Sequence, residues 1–259
     1  MTEASDDFAA GRVSYLTKPD GALIAYHRTP GRAPGIVFLG GFASDMTGTK
    51  ALVLEGFAKA RGQAFLRFDY QGHGQSSGAF VDGCIGLWHS DALAVIDAQT
   101  EGPQILVGSS MGGWMMLLTA VARPERVAGL VGIASAPDFT EDLMWPNFSE
   151  EVRETLRRDG IHQEPTAYGE EPYTITMKLI EEGRNHLLLR DRLAIAAPIR
   201  LLHGMADPDV PYQLSLQIAA HVESGDVQVY LIKDGDHRLS TERDLAILTS
   251  TIAAMIDAS

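Results

Sequence analysis

The chain is poor in cysteine, in basic residues and in long apolar runs, and each shortage removes a class of function. A single cysteine, Cys84, among 259 residues leaves no internal disulfide framework and no cysteine-based metal site, as suits a reducing compartment. Lys and Arg number 21 against 34 Asp and Glu, a net charge of -13. Nucleic acid is thereby a poor partner, because phosphate binding wants a basic face. Anionic small substrates are disfavoured only mildly, since a local basic patch overrides the global field. No stretch approaches the roughly 18 uninterrupted apolar residues of a membrane helix, and the acidic start, Met1 to Asp7, has no apolar signal core. The reading is a single cytoplasmic domain over 1–259, large enough to bury a sizeable core. Walker A, H-E-x-x-H and paired-cysteine patterns are missing. Gly72 to Gly78 misses the dinucleotide fingerprint, because Ser77 stands where the third glycine belongs. No cofactor and no metal is expected.

What is present centres on Gly108-Ser109-Ser110-Met111-Gly112, a G-x-S-x-G sequence. The strand-like Gln104 to Val107 runs into it, and the apolar, helical Trp114 to Leu118 follows. A sharp strand-to-helix turn needs glycine on both sides of its central residue, where a Cβ would meet neighbouring backbone. Centring the motif on Ser109 instead would require glycine at Val107, so Ser110 is the predicted nucleophile.

Short β-rich runs alternate with helical ones along the chain, which predicts an α/β fold with a mostly parallel eight-stranded sheet flanked by helices. A hairpin is expected from Arg12–Lys18 and Ala22–Arg28, then strands at Gly35–Leu39, Ala64–Asp69, Gln104–Val107, Val127–Ala134, Ile199–His203 and Val227–Ile232. Helices are expected over Leu52–Arg61, Leu87–Gln99 and the C-terminus, where Leu245, Leu248, Ile252 and Met255 share a face. Residues 138–197, between the sixth and seventh strands, break the alternation and read as a small helical cap. Within it Ser149 suits an N-cap, Gly160 a helix end, and Thr174–Glu182 a second helix.

A serine elbow requires an acid and a base further on, in the order Ser, Asp, His. Asp207 follows the seventh strand, and His237 lies in a short loop before the last helix. Asp209, Asp234 and Asp236 occupy plausible loops as well. Among the eight histidines, His203 reads as structural, and His27, His73, His89, His162, His186 and His221 as surface or loop residues, with His73 and His186 also able to line a pocket. An oxyanion needs two donors: the amide of Met111, after the nucleophile, and that of Phe42 in the loop Leu39 to Asp45, with Gly41 as the alternative. Trp114, Met144, Trp145 and Phe148 are candidates for an acyl-binding wall or for plain core packing.

The elbow, the Gly40-Gly41-Phe42 loop and Phe68 to Ser76 resemble the serine α/β-hydrolases. Ser44 to Leu52, Gly102 to Trp114 and Pro198 to Met205 are similar to the palmitoyl-protein thioesterase and acyl-glucuronide esterase branch of the α/β-hydrolase-domain proteins. The resemblance implies a small acyl ester or thioester, or an acylated protein, as substrate, with Ser110, Asp207 and His237 as the triad. A generic short-chain carboxylesterase and a non-catalytic ligand-binding protein of the same fold are the alternatives. Nothing in the residues speaks to oligomeric state.

Overall fold

The computed structural model describes residues 13–166 and 172–258; Met1–Asp7 and Arg12, invoked above, lie outside them. A hairpin opens the described chain, β1 (Ser14–Thr17) and β2 (Leu23–Thr29), and β3 (Arg32–Leu39) enters the core. Next come α1 (Thr49–Arg61), β4 (Gln63–Phe68), α2 (Ile85–Gln99), β5 (Gln104–Ser109), α3 (Met111–Ala122) and β6 (Val127–Ile133). A π-helical turn, Thr140–Met144, runs into the single turn α4 (Trp145–Asn147), followed by α5 (Glu150–Asp159), β7 (Ile161–Glu164), β8 (Tyr173–Thr176) and α6 (Met177–Gly183). The chain closes with β9 (Ile199–Gly204), α7 (Gln213–His221), β10 (Val227–Ile232) and α8 (Glu242–Asp257).

Eight strands form one sheet in the order β1-β2-β4-β3-β5-β6-β9-β10. Pairs β1/β2 and β2/β4 are antiparallel and the other five are parallel, as expected for an α/β-hydrolase sheet. All six residues of β5 are buried, because helices cover both faces of a parallel sheet. Alternate side chains divide the core. Val37, Leu39 and Leu106 face Trp88 and Val95 of α2, Trp114 of α3 and Ile218 of α7. Ile36, Phe38, Ile105 and Val107 face Leu54 and Ala58 of α1 and Leu248, Ile252 and Met255 of α8. The C-terminal ends of the parallel strands converge on one edge, where the site lies.

The segment between β6 and β9 departs from expectation. The helix at Glu150–Asp159 forms as its caps dictate: the Ser149 side chain accepts from the Val152 amide, and Gly160 ends it at φ 77°. The second helix begins later than expected. Tyr173–Thr176 form a strand paired antiparallel with β7, and α6 starts at Met177 with the Thr176 hydroxyl capping the Leu179 amide at 3.1 Å. A run of one aromatic and three β-branched residues takes the extended form once a partner strand supplies the ladder. Both ends of the segment are tied at Asp138, whose fully buried carboxylate accepts from the Leu188 and Leu189 amides at 2.8 Å each.

Candidate active site

The turn from β5 into α3 holds Ser110 at φ 55° and ψ -119°, a conformation an L-residue adopts only under constraint. Two close approaches impose it. A Cβ at Gly108 would lie 2.3 Å from the Gly112 carbonyl oxygen, and one at Gly112 would lie 2.1 Å from that of Leu39. Alanine at either position would push α3 off the sheet, and the same packing brings Ser110 beside the loop after β3. Other non-glycine residues at positive φ, Ala43, Ala134, Asp138 and Leu239, also lie at or near strand ends around this edge.

His237, in the loop between β10 and α8, reaches Ser110 and Asp207. Its Nε2 lies 3.1 Å from Ser110 Oγ and its Nδ1 lies 2.8 Å from Asp207 Oδ2. An ionised carboxylate can only accept, so Nδ1 carries the proton and Nε2 is left to accept from the serine hydroxyl. Asp207 follows β9, and its Oδ1 takes the amides of Asp209 and Val210 at 2.9 Å each. Burial pushes this carboxyl up. Hydrogen bonds from His203, His237 and the Val210 amide, with the charge of His237, outweigh burial and hold it well below the usual carboxylate range.

His203 does more than the structural reading of its sequence position suggests. Its Nε2 lies 3.0 Å from the Val210 carbonyl and 3.3 Å from Asp207 Oδ2, so it donates toward two acceptors, while Nδ1 lies 2.7 Å from Ser215 Oγ. The fully buried ring braces the carboxylate from behind. Its place four residues before Asp207, at a strand end, was the available signal. His73 lies in a loop, as expected, but neither at the surface nor at the cavity: it is buried against Tyr70, Phe80 and Trp88, and burial pushes its pKa down to about 4.

A cavity of about 510 Å³ opens over Ser110, within the range of small-molecule clefts. Gly40, Gly41, Phe42 and Met111 line it beside the serine. The Met111 amide is the first of α3 and has no acceptor within its own helix. The Phe42 ring is clamped edge-on by Phe80, Trp88, Phe139 and Tyr173 at centroid distances of 5.0, 6.0, 6.0 and 5.6 Å, which fixes the backbone it belongs to.

Of the four residues considered for an acyl wall, the structure puts Met144 at the cavity but not the others. Trp145 is outside the cavity lining: it packs against the cluster of Leu156, Ile175 and Ile180, and the guanidiniums of Arg153, Arg157 and Arg184 lie over its ring at 5.5, 5.3 and 5.4 Å. Phe148 packs with Val152 and His162, and Trp114 is fully buried with Nε1 donating to the His186 carbonyl at 3.0 Å. Helical spacing carries no information on which side of an inserted segment faces the sheet. Phe139, Leu143 and Tyr173 line the cavity instead; Tyr173 stands just before the helix expected over Thr174–Glu182, and its place at the cavity follows from the pairing of β8 with β7. Trp114→Ala should therefore act on stability, lowering it by about 3–5 kcal/mol. Urea unfolding beside a chain-length profile checks this; a changed profile at unchanged stability would return Trp114 to the pocket wall.

Asp207, Asp209 and His237 each offer a ligand atom within 4.8 Å of the others. A cation there would have to break the Asp207–His237 hydrogen bond, so the donor set fits the pair better than a metal.

A sheet of this order with a strand–serine–helix elbow at its carboxyl edge defines an α/β-hydrolase enzyme. The chain belongs to the serine aminopeptidase S33 family, which it matches over residues 34–244. It is 43% identical over 246 residues to the mitochondrial palmitoyl-protein thioesterase ABHD10 of Homo sapiens, covering 95% of this chain and 80% of that one. The solved structure of α/β-hydrolase domain-containing protein 10 from mouse is 42% identical, with a TM-score of 0.89 over 96% of this chain and 99% of that one. A chain from Agrobacterium vitis S4 described as a hydrolase is 41% identical, with a TM-score of 0.90 over 95% and 98%. The thioesterase relatives are mitochondrial by name, which overturns the cytoplasmic expectation. Charge and hydropathy do not encode a compartment, because addresses are read by receptors.

Proposed function

We propose that the chain cleaves acyl thioesters or carboxylic esters by acyl transfer through Ser110 to water. The observation that carries this reading is the relay Ser110–His237–Asp207, with contacts of 3.1 and 2.8 Å at a cavity wall. His237 Nε2 takes the Ser110 proton as Oγ attacks the carbonyl carbon, and Asp207 stabilises the imidazolium. The Met111 and Phe42 amides bind the oxyanion. The carbon–sulfur or carbon–oxygen bond then breaks, and the leaving group receives its proton from His237. Water, deprotonated by His237, attacks the acyl-enzyme and frees the acid and Ser110.

Residues 138–197 act as a cap on a single hydrolase domain. Phe139, Leu143, Met144 and Tyr173 from it form an apolar wall suited to an acyl chain. The thioesterase activity in the relatives' names supports a thioester as the scissile group. Each buried methylene contributes about 0.8 kcal/mol, so kcat/KM should rise severalfold per two carbons until the wall is filled. An acyl series from about two to sixteen carbons, on thioester and oxyester leaving groups, measures this. Leu143→Ala should flatten the profile and Trp145→Ala should leave it. A steady fall from the shortest chain upward would replace this reading with a short-chain esterase. No turnover of any ester would leave a ligand-binding protein.

A further inference from the structure

Ser44, Asp45, Thr49, Lys50, Arg238 and Ser240, all outside residues 138–197, also line the cavity, and Lys50 stands in the first turn of α1. Lys50 Nζ donates to the Arg238 carbonyl at 2.6 Å and to Ser240 Oγ at 3.4 Å. Among the described residues no carboxylate comes within 4.0 Å of it, in a chain with 34 acidic residues. The acids that bear on it have other work. Asp236 accepts from the Leu239 amide at 2.9 Å, and Asp244 caps α8 through the Thr241 amide and hydroxyl at 3.1 and 2.7 Å. Asp45, on the same rim, takes the Thr47 amide and hydroxyl at 2.7 and 2.5 Å. Burial, and then the charge of Arg238, push the ammonium down to about 8 against the opposing pull of Asp236 and Asp244. Removing a charge from water without a counter-charge is costly, and an anion entering the cavity would supply the missing partner.

Resting on the hydrolase reading, we propose that Lys50, with Arg238 beside it, forms a leaving-group subsite selecting esters and thioesters whose leaving group carries an anion. The acyl chain lies against the apolar cap residues and the anion against Lys50 and Arg238. This orientation lets a protein of net charge -13 accept an anionic substrate, because the local ammonium outweighs the distant field at short range.

The experiment compares octanoyl thioesters of 3-mercaptopropionate and of its neutral amide, and of phosphopantetheine and pantetheine. The wild-type chain should prefer each anionic member by about tenfold in kcat/KM, the equivalent of ~1.4 kcal/mol. Lys50→Met should bring that ratio to about one, and Lys50→Arg should keep it. In the wild type the preference should fade as pH rises through about 8, a readout that does not depend on any variant folding. A preference for only the carboxylate or only the phosphate names the anion and upholds the subsite. Equal rates on both members of each pair, a neutral preference set by Asp45 and Asp209, or an undiminished ratio in Lys50→Met overturns the subsite and leaves the hydrolase reading standing. Failure to cleave any of the four overturns both.

Discussion

Ser110→Ala should lower kcat by roughly 10⁴ to 10⁶ and abolish labelling by a fluorophosphonate probe, with the fold retained. The substitution removes Oγ, whose hydrogen-bond partner is His237 Nε2 at 3.1 Å, and keeps the Cβ already accommodated at φ 55°. The elbow's backbone bonds, Ser110 N–H to the Ile133 carbonyl at 2.9 Å and Ala136 N–H to the Ser110 carbonyl at 3.1 Å, do not depend on the hydroxyl. Labelling kinetics and a thermal melt on the same samples separate lost chemistry from lost structure. Labelling at the wild-type rate would move suspicion to Ser109, whose side chain is buried at the end of β5.

Asp207→Asn should cost about 10⁴ in kcat, the second largest effect expected. The Asp209 and Val210 amides both donate to Oδ1, so the asparagine oxygen will keep that position. Its NH₂ then faces His237 Nδ1 and His203 Nε2, both donors in the wild type. His237 is driven to the tautomer with its proton on Nε2, which cannot accept from Ser110. Asp236→Asn, by contrast, removes only an acceptor for the Leu239 amide, and damage equal to that of Asp207→Asn would refute the assignment. The same carboxylate has a pH signature. Its folded pKa is depressed, so its stabilisation is fully present above the unfolded value near ~4 and is lost as pH falls below that. Melting temperature followed downward through that range should fall more steeply for the wild type than for Asp207→Asn.

The elbow and the order of elements were legible because they are local. Glycine at 108 and 112 answers to sterics within a few residues, and each sheet strand advertises itself as a short β-rich run between helical ones. Val227–Ile232 has the bounds read from its residues, and the eight strands form the expected sheet. The fold class and Ser110's place in its turn follow from that pattern. Asp207 and His237 could be named as strand-end residues after the serine, but Asp209, Asp234 and Asp236 stayed open, because the sequence does not say which oxygen meets Nδ1.

Tertiary structure decided what depends on partners far along the chain. Tyr173–Thr176 became a strand because β7 lay beside it. Trp145 packed outside the cavity lining with three arginines over its ring, while Tyr173, Leu143 and Phe139 came to line the cavity. Lys50 met the Arg238 carbonyl across 188 residues, a contact marked by no spacing. Periodicity reports which residues share a face of one element. Which neighbour that face meets, and whether a charge finds a counter-charge there, is set only when the whole sheet and its inserted segment pack together.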